Sequence, residues 1–471
     1  MVLGNIQLNI FWTDWLVYVL VIAISIFIVY ARHHEHLRAP WRQVFQRKLA
    51  MIALVVLSVY VTIGLLDSVH FKEALPEQNA GQQVQYSPET LSLLDKLLTP
   101  LRERVETSYS APFALHLYTK QTIEKPDGAM VREYPRLKYG GAHLASAAQR
   151  PSDITERVLH ATVRAVVLWL LVVLAILFVI ARRKRMMMAD AIHRFVKGNY
   201  EYPLRTTLIS IGAVIWLLSL GYHLALHYHV FGTDKVGQDV LYLSLKSIRT
   251  GLVIGTLTTL VMLPFAILLG IMAGYFRGWV DDVIQYIYTT LNSIPGVLLI
   301  AAFILMIDVI IANHPERYND IAVRADMRLL WLCIILGVTN WTGLCRLLRG
   351  EALKLREVDY VLAASAFGVR PMKILRKHLL PNVMHIVLIS VVLDFSGLVL
   401  AEAVLSYVGV GVDPSMNSWG NMINSARLEM AREPVVWWSL MAAFVFMFAL
   451  VLAANLFADA VRDAFDPRLR K

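Results

Sequence analysis

Asp359-Tyr-Val-Leu-Ala-Ala-Ser-Ala-Phe-Gly-Val-Arg-Pro-Met-Lys-Ile-Leu-Arg-Lys-His-Leu-Leu-Pro-Asn382 is a basic segment held between two long apolar runs. Ala363, Ala364 and Ala366 give a short helix a nearly bare face. Gly368 supplies the permissive backbone that ends helices. Pro371 sits where a second helix starts, and Pro381 is expected to close that helix before the next apolar run. A small-faced helix, a hinge and a second basic helix make a shape that inserts into a partner's groove, which a plain connector between two spans does not need.

The flanking runs place the chain among integral membrane proteins. Mean hydropathy is +0.55, and 57% of residues are apolar. Apolar stretches of spanning length, about 20 residues each, recur near 11–31, 50–66, 160–181, 205–226, 251–274, 284–308, 328–346, 383–406 and 435–458. The expected fold class is therefore an all-α polytopic membrane protein with about nine transmembrane helices. The net charge of +10 lies beside the spans, at Arg32–Lys48, Arg182–Arg185 and Arg346–Lys377. That is the positive-inside distribution. No stacking aromatics interleave with these charges, so nucleic acid is not the expected partner. The two cysteines, Cys333 and Cys345, are twelve residues apart in one run. On a helix that is about 18 Å, too far for a disulfide. No cleavable signal peptide is read at the start, and the first run reads as a retained span.

With 359–382 on the cytoplasmic side, counting spans outward puts every strongly basic connection on that side. Gly232–Asp239 and the long stretch 67–158 then fall outside. The latter mixes charge with turn residues, among them Pro76, Gly81, Pro88, Pro100, Pro112, Pro126, Gly128, Pro135, Gly140 and Gly141. Ser87-Pro-Glu-Thr90 ahead of the leucine run Leu91–Leu101 predicts an amphipathic helix of three to four turns. Alternation over Phe113–Thr119 predicts a strand.

Several motifs share one family pattern. The segment 359–382, with its Ala-Ala pair, following Gly and late Leu-Pro, resembles the coupling loop of bacterial ABC importer permeases. Trp341-Thr-Gly-Leu-Cys-Arg-Leu-Leu-Arg-Gly-Glu351, Ala401-Glu-Ala-Val-Leu-Ser-Tyr-Val-Gly-Val-Gly-Val412, Ser418-Trp-Gly420 and Arg462-Asp-Ala-Phe-Asp-Pro-Arg468 are similar to the dipeptide, oligopeptide and nickel permeases. Gly232-Thr-Asp-Lys-Val-Gly-Gln-Asp239 resembles the motif ahead of that family's transport core, and Trp41-Arg-Gln-Val-Phe-Gln-Arg-Lys-Leu-Ala50 its preface to the first core span. The resemblance covers 40–71 and 229–471. It implies six core spans interrupted by an insertion.

The expected domains are 1–49, an extra span with a basic segment; 50–66, the first core span; 67–158, an extracytoplasmic insertion; 159–228, two inserted spans; and 229–471, the transport core with its coupling loop at 350–382.

The resemblance further implies a permease subunit of an ATP-driven importer in the bacterial inner membrane. Its expected partners are a second homologous permease, two ATPase subunits, an extracytoplasmic substrate-binding protein and the lipid bilayer. Short peptides are the expected cargo. Nickel or another small solute, or a non-transport sensor or docking role, is the alternative. Asp359, Ala363, Ala364, Gly368, Arg370 and Lys373 are the candidate ATPase-coupling residues; where the family often has a Glu before the Ala pair, this chain has Leu362. Candidate pore or gating residues are Asn292 and Pro295, at a break in a span; Asp394 and Glu402, ionisable groups within a span; and Trp419. Gly251-x3-Gly255 and Gly270-x3-Gly274 allow close helix approach. His223 and His227 are one turn apart, but interfacial histidines are usually solvated, and no metal or other cofactor is expected. No Walker-type loop, metalloprotease motif or nucleophile elbow occurs, so the chain is not expected to hydrolyse ATP, which would be bound by partner subunits.

Overall fold

Apolar helices dominate the computed structural model of this chain, which describes residues 2–3, 6–75, 85–124, 130–316, 318 and 320–465. Pro76, Gly81, Pro126 and Gly128, and the motif residues Asp466, Pro467 and Arg468, lie outside the described residues. In chain order, β1 (Val2–Leu3) and β2 (Ile6–Leu8) precede α1 (Trp12–His33), α2 (Glu35–Gln46) and α3 (Lys48–Asp67). Next come β3 (His70–Glu73), β4 (Leu91–Ser92), α4 (Leu93–Leu97), α5 (Thr99–Arg102), β5 (Gln121–Glu124) and β6 (Met130–Glu133). The remainder is helical: α6 (Arg150–Lys184), α7 (Met188–Lys197), α8 (Leu204–Ala225), α9 (Val240–Phe276), α10 (Gly278–Ser293), α11 (Gly296–Ala312), α12 (Ile321–Arg356), α13 (Asp359–Ala366), α14 (Pro371–Ile374), α15 (Leu380–Tyr407), α16 (Trp419–Glu429) and α17 (Trp438–Phe465).

Among the described residues, seven helical runs are long and apolar enough to cross a membrane, and the bent pair α10–α11 makes an eighth if it forms one span. Two of the nine expected runs take a different form. Run 284–308 is broken by an 85° bend between α10 and α11. Pro295 lacks the N–H that would continue the ladder, and Ile294 before it is extended. Run 328–346 is the middle of the 36-residue α12, which is charged at both ends by Arg324, Asp326, Arg328, Arg346 and Arg349, and it falls outside that count.

The chain forms two compact units. The first comprises 1–8, 41–249 and 417–457. In it β1, β2, β3 and β4 pair antiparallel in that order, and β5 pairs with β6 in a separate hairpin. The expected helix over Leu91–Leu101 divides into α4 and α5 because Ser92, rather than Ser87, caps it: its hydroxyl accepts from Asp95 N–H, and Asp95 accepts from Ser92 N–H. Pro100 then opens α5. The strand expected over Phe113–Thr119 is absent. Phe113 has a left-handed backbone, only an isolated bridge joins His116 to Arg136, and the hairpin forms further on at Gln121–Glu133. Val173, Leu177 and Leu208 form the packed seam of α6 against α8, and α8 also packs on α3.

The second unit comprises 9–40, 250–416 and 458–471. Its packing uses small residues where backbones approach, as membrane helices do. A Cβ at Gly270 would lie 2.8 Å from the Cys345 carbonyl, and one at Gly274 would lie 2.6 Å from that of Arg349. These two glycines thus let α9 lie directly on α12. Asp326 of α12 accepts from both the backbone N–H and the hydroxyl of Thr13, fixing the start of α1.

Candidate functional site

The elbow at 359–382 is built by local rules. Val358 is extended and starts α13; Asp359 in the first turn suits the helix dipole. The helix ends in a Schellman motif: Val369 N–H donates to the Ala364 carbonyl at 3.1 Å and Gly368 N–H to Ser365 at 3.0 Å. Gly368 has φ +72°, a conformation other residues resist. Pro371 then opens α14. The second helix does not stop at Pro381. It widens into a π-helical turn over 375–379 and runs on as α15, with Pro381 in the first turn of that helix. The wider turn accommodates a proline whose ring would clash with the carbonyl four residues back.

One side of the elbow is sealed into the second unit. Val361, Ile374, Leu375 and Leu379 join a core with Trp341, Leu344, Leu348 and Ala352, and Ala364 and Val369 rest against it. Asn382 donates to the Tyr360 hydroxyl at 3.0 Å, pinning α13 to α15. Arg349 holds Asp281 of α10 through two hydrogen bonds of 2.6 and 2.7 Å, a bidentate pair between α12 and α10 just before the elbow.

The other side is open. Asp359, Ala363, Gly368, Arg370 and Lys373 are exposed, whereas Ala364 is half-buried. Phe367 stands out 87% exposed, with Tyr360, Leu362 and Met372 exposed beside it. Phe367 thus has no pocket of its own among the described residues. Reading the sequence for small residues missed it; its position just before the hinge glycine was the available signal. The exposed Asp359, Arg370 and Lys373 lie on the same elbow as this apolar side chain.

The candidate pore residues are scattered. Asn292 and Pro295 lie at the exposed α10–α11 break, and Asn292 accepts from the Thr342 hydroxyl at 3.0 Å. Asp394 is half-buried in mid-helix. Glu402 is buried and accepts from the Ser406 hydroxyl at 2.7 Å. Trp419 is 1% exposed, and its indole donates to the Ser244 carbonyl. Glu402 and Trp419 are thus both buried among the described residues.

The first unit carries a polar constellation that the sequence did not announce. His229 is buried between Asp239, at 2.7 Å from Nδ1, and Glu106, at 3.4 Å from Nε2. Glu106 also accepts from the backbone N–H groups of Lys138, Tyr139 and Gly140. Glu106 lies 123 positions from His229, so only folding brings it to the pair. No group of three or more His, Cys, Asp or Glu arranged to hold a metal occurs among the described residues. Burial works against both charges. It would raise Glu106, but the His229 and backbone hydrogen bonds hold it down to about 2. It would lower His229, but Asp239 and Glu106 hold it up at about 9.

The linkage to stability follows. The contribution of Glu106 is present above its ordinary value of 4.5 and is lost as pH falls through 2. That of His229 is complete below its ordinary 6.5 and is lost as pH rises through 9. Both are complete between pH 4.5 and 6.5. Hydrogen-exchange protection of 105–140 and 227–240 is therefore expected to be greatest in that window and to fall toward pH 9. Glu106→Gln should lower the maximum and flatten the alkaline limb; an unchanged profile in that variant would show that the network does not hold this region.

Residues 266–471 match the family model described as "Binding-protein-dependent transport system inner membrane component". The dipeptide transport system permease protein DppC of Bacillus subtilis (strain 168) is 29% identical over 243 residues, 52% of this chain and 70% of that protein. The glutathione transport system permease protein GsiD of Pectobacterium atrosepticum is 30% identical over 244 residues, 51% of this chain and 73% of that protein. The oligopeptide transport system permease protein OppC of Mycobacterium tuberculosis (strain CDC 1551) is 30% identical over 242 residues, 51% of this chain and 77% of that protein.

Apolar helices of spanning length, with an elbow braced on one side and exposed on the other, define a multi-pass membrane protein. The chain belongs to the family of binding-protein-dependent ABC importer permeases of the peptide type. It is a membrane permease subunit and not itself an enzyme. Importers of this family work with ATPase and substrate-binding partners.

Proposed function

We propose that this chain forms half of a translocation pore for short peptides in a bacterial inner membrane, pairing with a second related permease and two ATPase subunits. A binding protein delivers the cargo on the face where 67–158 lies, and that inserted region contacts the binding protein or an adjacent subunit. Asp359, Ala363, Ala364, Gly368, Arg370 and Lys373, with Phe367 as the central anchor, couple nucleotide-driven closure to the pore. Asn292, Pro295 and Asp394 stay candidates for the path itself. Peptide cargo is supported by the relatives, whose names specify dipeptide, oligopeptide and glutathione transport.

The observation that carries the coupling role is the exposed Phe367 on a hinge fixed to the core by Val361, Ile374 and the Tyr360–Asn382 pin. Packed elements of this kind move as units when pushed. Phe367→Asp is expected to weaken ATPase docking by about 2–4 kcal/mol, the range of an interface hot spot. Co-purified ATPase and ATP-driven uptake in proteoliposomes should both fall, with membrane insertion unchanged. Normal co-purification and uptake in that variant would remove Phe367 from the interface.

A further inference from the structure

Where α11 ends and α12 begins, the second unit forms an open cleft of about 560 Å³. That volume is within the range of small-ligand sites, about 300–1,000 Å³. Its lining is unusual for a space between membrane helices because it carries two acids and two bases. Asp308 comes from the last turns of α11, Arg324 and Arg328 from α12, and Asp413 from the segment after α15; Tyr318 and Ser415 complete the polar part of the wall. Arg324 and Arg328 are four residues apart and so share one face of α12. Asp413 is fixed in place, accepting from Ser415 N–H at 2.9 Å and from the Ser415 hydroxyl at 2.7 Å.

The two ion pairs of the lining are both long. Arg328 Nη1 is 3.4 Å from Asp308, and Arg324 Nε is 3.6 Å from Asp413. Charge-assisted hydrogen bonds normally close to about 2.7–2.9 Å. The Arg328 side chain is only 13% exposed, yet its buried Nε–H has no acceptor among the described residues. A buried donor left without a partner is costly, and a chain does not gain by keeping one unless something else fills it. A guanidinium offers five donors in a fork matched to a carboxylate. On the other side of the cleft, the Asp308 side chain keeps 35% of its surface accessible to an ammonium group.

The four ionised groups sum to no net charge. A purely anionic ligand meets two aspartates, and a purely cationic one meets two arginines. A ligand carrying both charges a few ångströms apart meets a complement for each. We infer that this cleft is a receiving subsite for a zwitterionic ligand, the free-ended short peptide or amino acid, whose carboxylate takes Arg328 and Arg324 and whose ammonium takes Asp308. The inference deepens the peptide-cargo reading and rests on it for the identity of the natural ligand. Binding at the cleft is nevertheless measurable apart from transport.

The test uses the purified permease–ATPase complex in nanodiscs, without binding protein, and three probes: tri-alanine, N-acetyl-tri-alanine and tri-alanine amide. Equilibrium dialysis is expected to show tri-alanine bound and each blocked probe weaker by about tenfold or more, the loss of one charge-assisted contact. Arg324→Gln, at the more exposed of the two arginines, should weaken tri-alanine about tenfold while barely changing the amide, which already lacks the carboxylate it would hold. Asp308→Asn should do the same with the roles of the two blocked probes reversed. Because the probe comparison needs only the unaltered protein, it decides even if a variant fails to fold. Equal affinity for free and blocked probes overturns the subsite. So does the absence of tri-alanine binding by a complex that imports it when its binding protein is added. Binding of tri-alanine with the expected end-group dependence but no uptake of any peptide upholds the subsite and overturns the peptide-cargo reading instead.

Discussion

Gly368→Pro is expected to abolish ATP-driven uptake, by at least about a hundredfold, while the protein still inserts in the membrane. Proline holds φ near −65°, and Gly368 needs +72°. Proline also removes the N–H that Gly368 donates to Ser365. Both losses fall on the Schellman motif that turns the chain between α13 and α14, so the docking face swings out of line with its own brace. Gly368→Ala is the control. No atom lies within 4 Å of the position its Cβ would take, so only the left-handed backbone is penalised, at about 1–2 kcal/mol. Alanine should therefore keep most of the uptake. Proteoliposome uptake beside membrane-fraction immunoblots measures both. Wild-type uptake by the proline variant would show that the hinge transmits nothing, and equal loss in both would show that a Cβ, not the turn, is what the partner refuses.

The second large effect is expected from deleting 67–226, which removes two inserted spans and preserves sidedness. A permease core that merely carried an insertion would survive this. The first unit indicates that it will not. Lys246 of α9 has a side chain only 12% exposed, and it donates to Asp67 at 2.5 Å, Asp95 at 3.0 Å and Ser92 at 3.2 Å. All three acceptors vanish with the deletion. An ammonium left buried without its partners costs about 3–5 kcal/mol, a large share of a typical domain's stability. The motif loop 232–239 loses its scaffold as well. Thr233 accepts from Ser110 N–H at 2.7 Å and donates to the Ser108 carbonyl at 2.8 Å, and Glu106 N–H donates to the Gly237 carbonyl at 2.9 Å. Tyr109 and Tyr118, which meet Glu429 and Trp438, go too, as does the α8 face that packs on α3. The truncated chain should fail to accumulate as an assembled subunit. Size-exclusion chromatography of the solubilised membrane fraction shows this directly, and a monodisperse complex with normal uptake would mean that the inserted region is an ornament.

The sequence by itself determined the class of fold, because the signals for it are local and repetitive. Apolar runs of spanning length, basic connections between them and the Ala-Ala, Gly and Pro positions at 359–382 each follow from a residue's own preferences. The break at Pro295 was visible for the same reason, although Pro264 lies inside an unbroken α9. Where local preference competed with surroundings the reading was less exact. Pro381 was expected to stop a helix but is carried inside a longer one by a π turn. The Phe113–Thr119 alternation was expected to be a strand but lies in turns, because Phe113 packs beside Leu115 and Tyr228 rather than along a strand partner.

Only the tertiary structure could place the Glu106–His229–Asp239 network, the Lys246 cage, the outward Phe367 and the four-charge cleft. The network, the cage and the cleft each bring together residues from distant parts of the chain. A buried charge has no signature in the sequence around it, because what makes it tolerable is the partner that folding brings to its side.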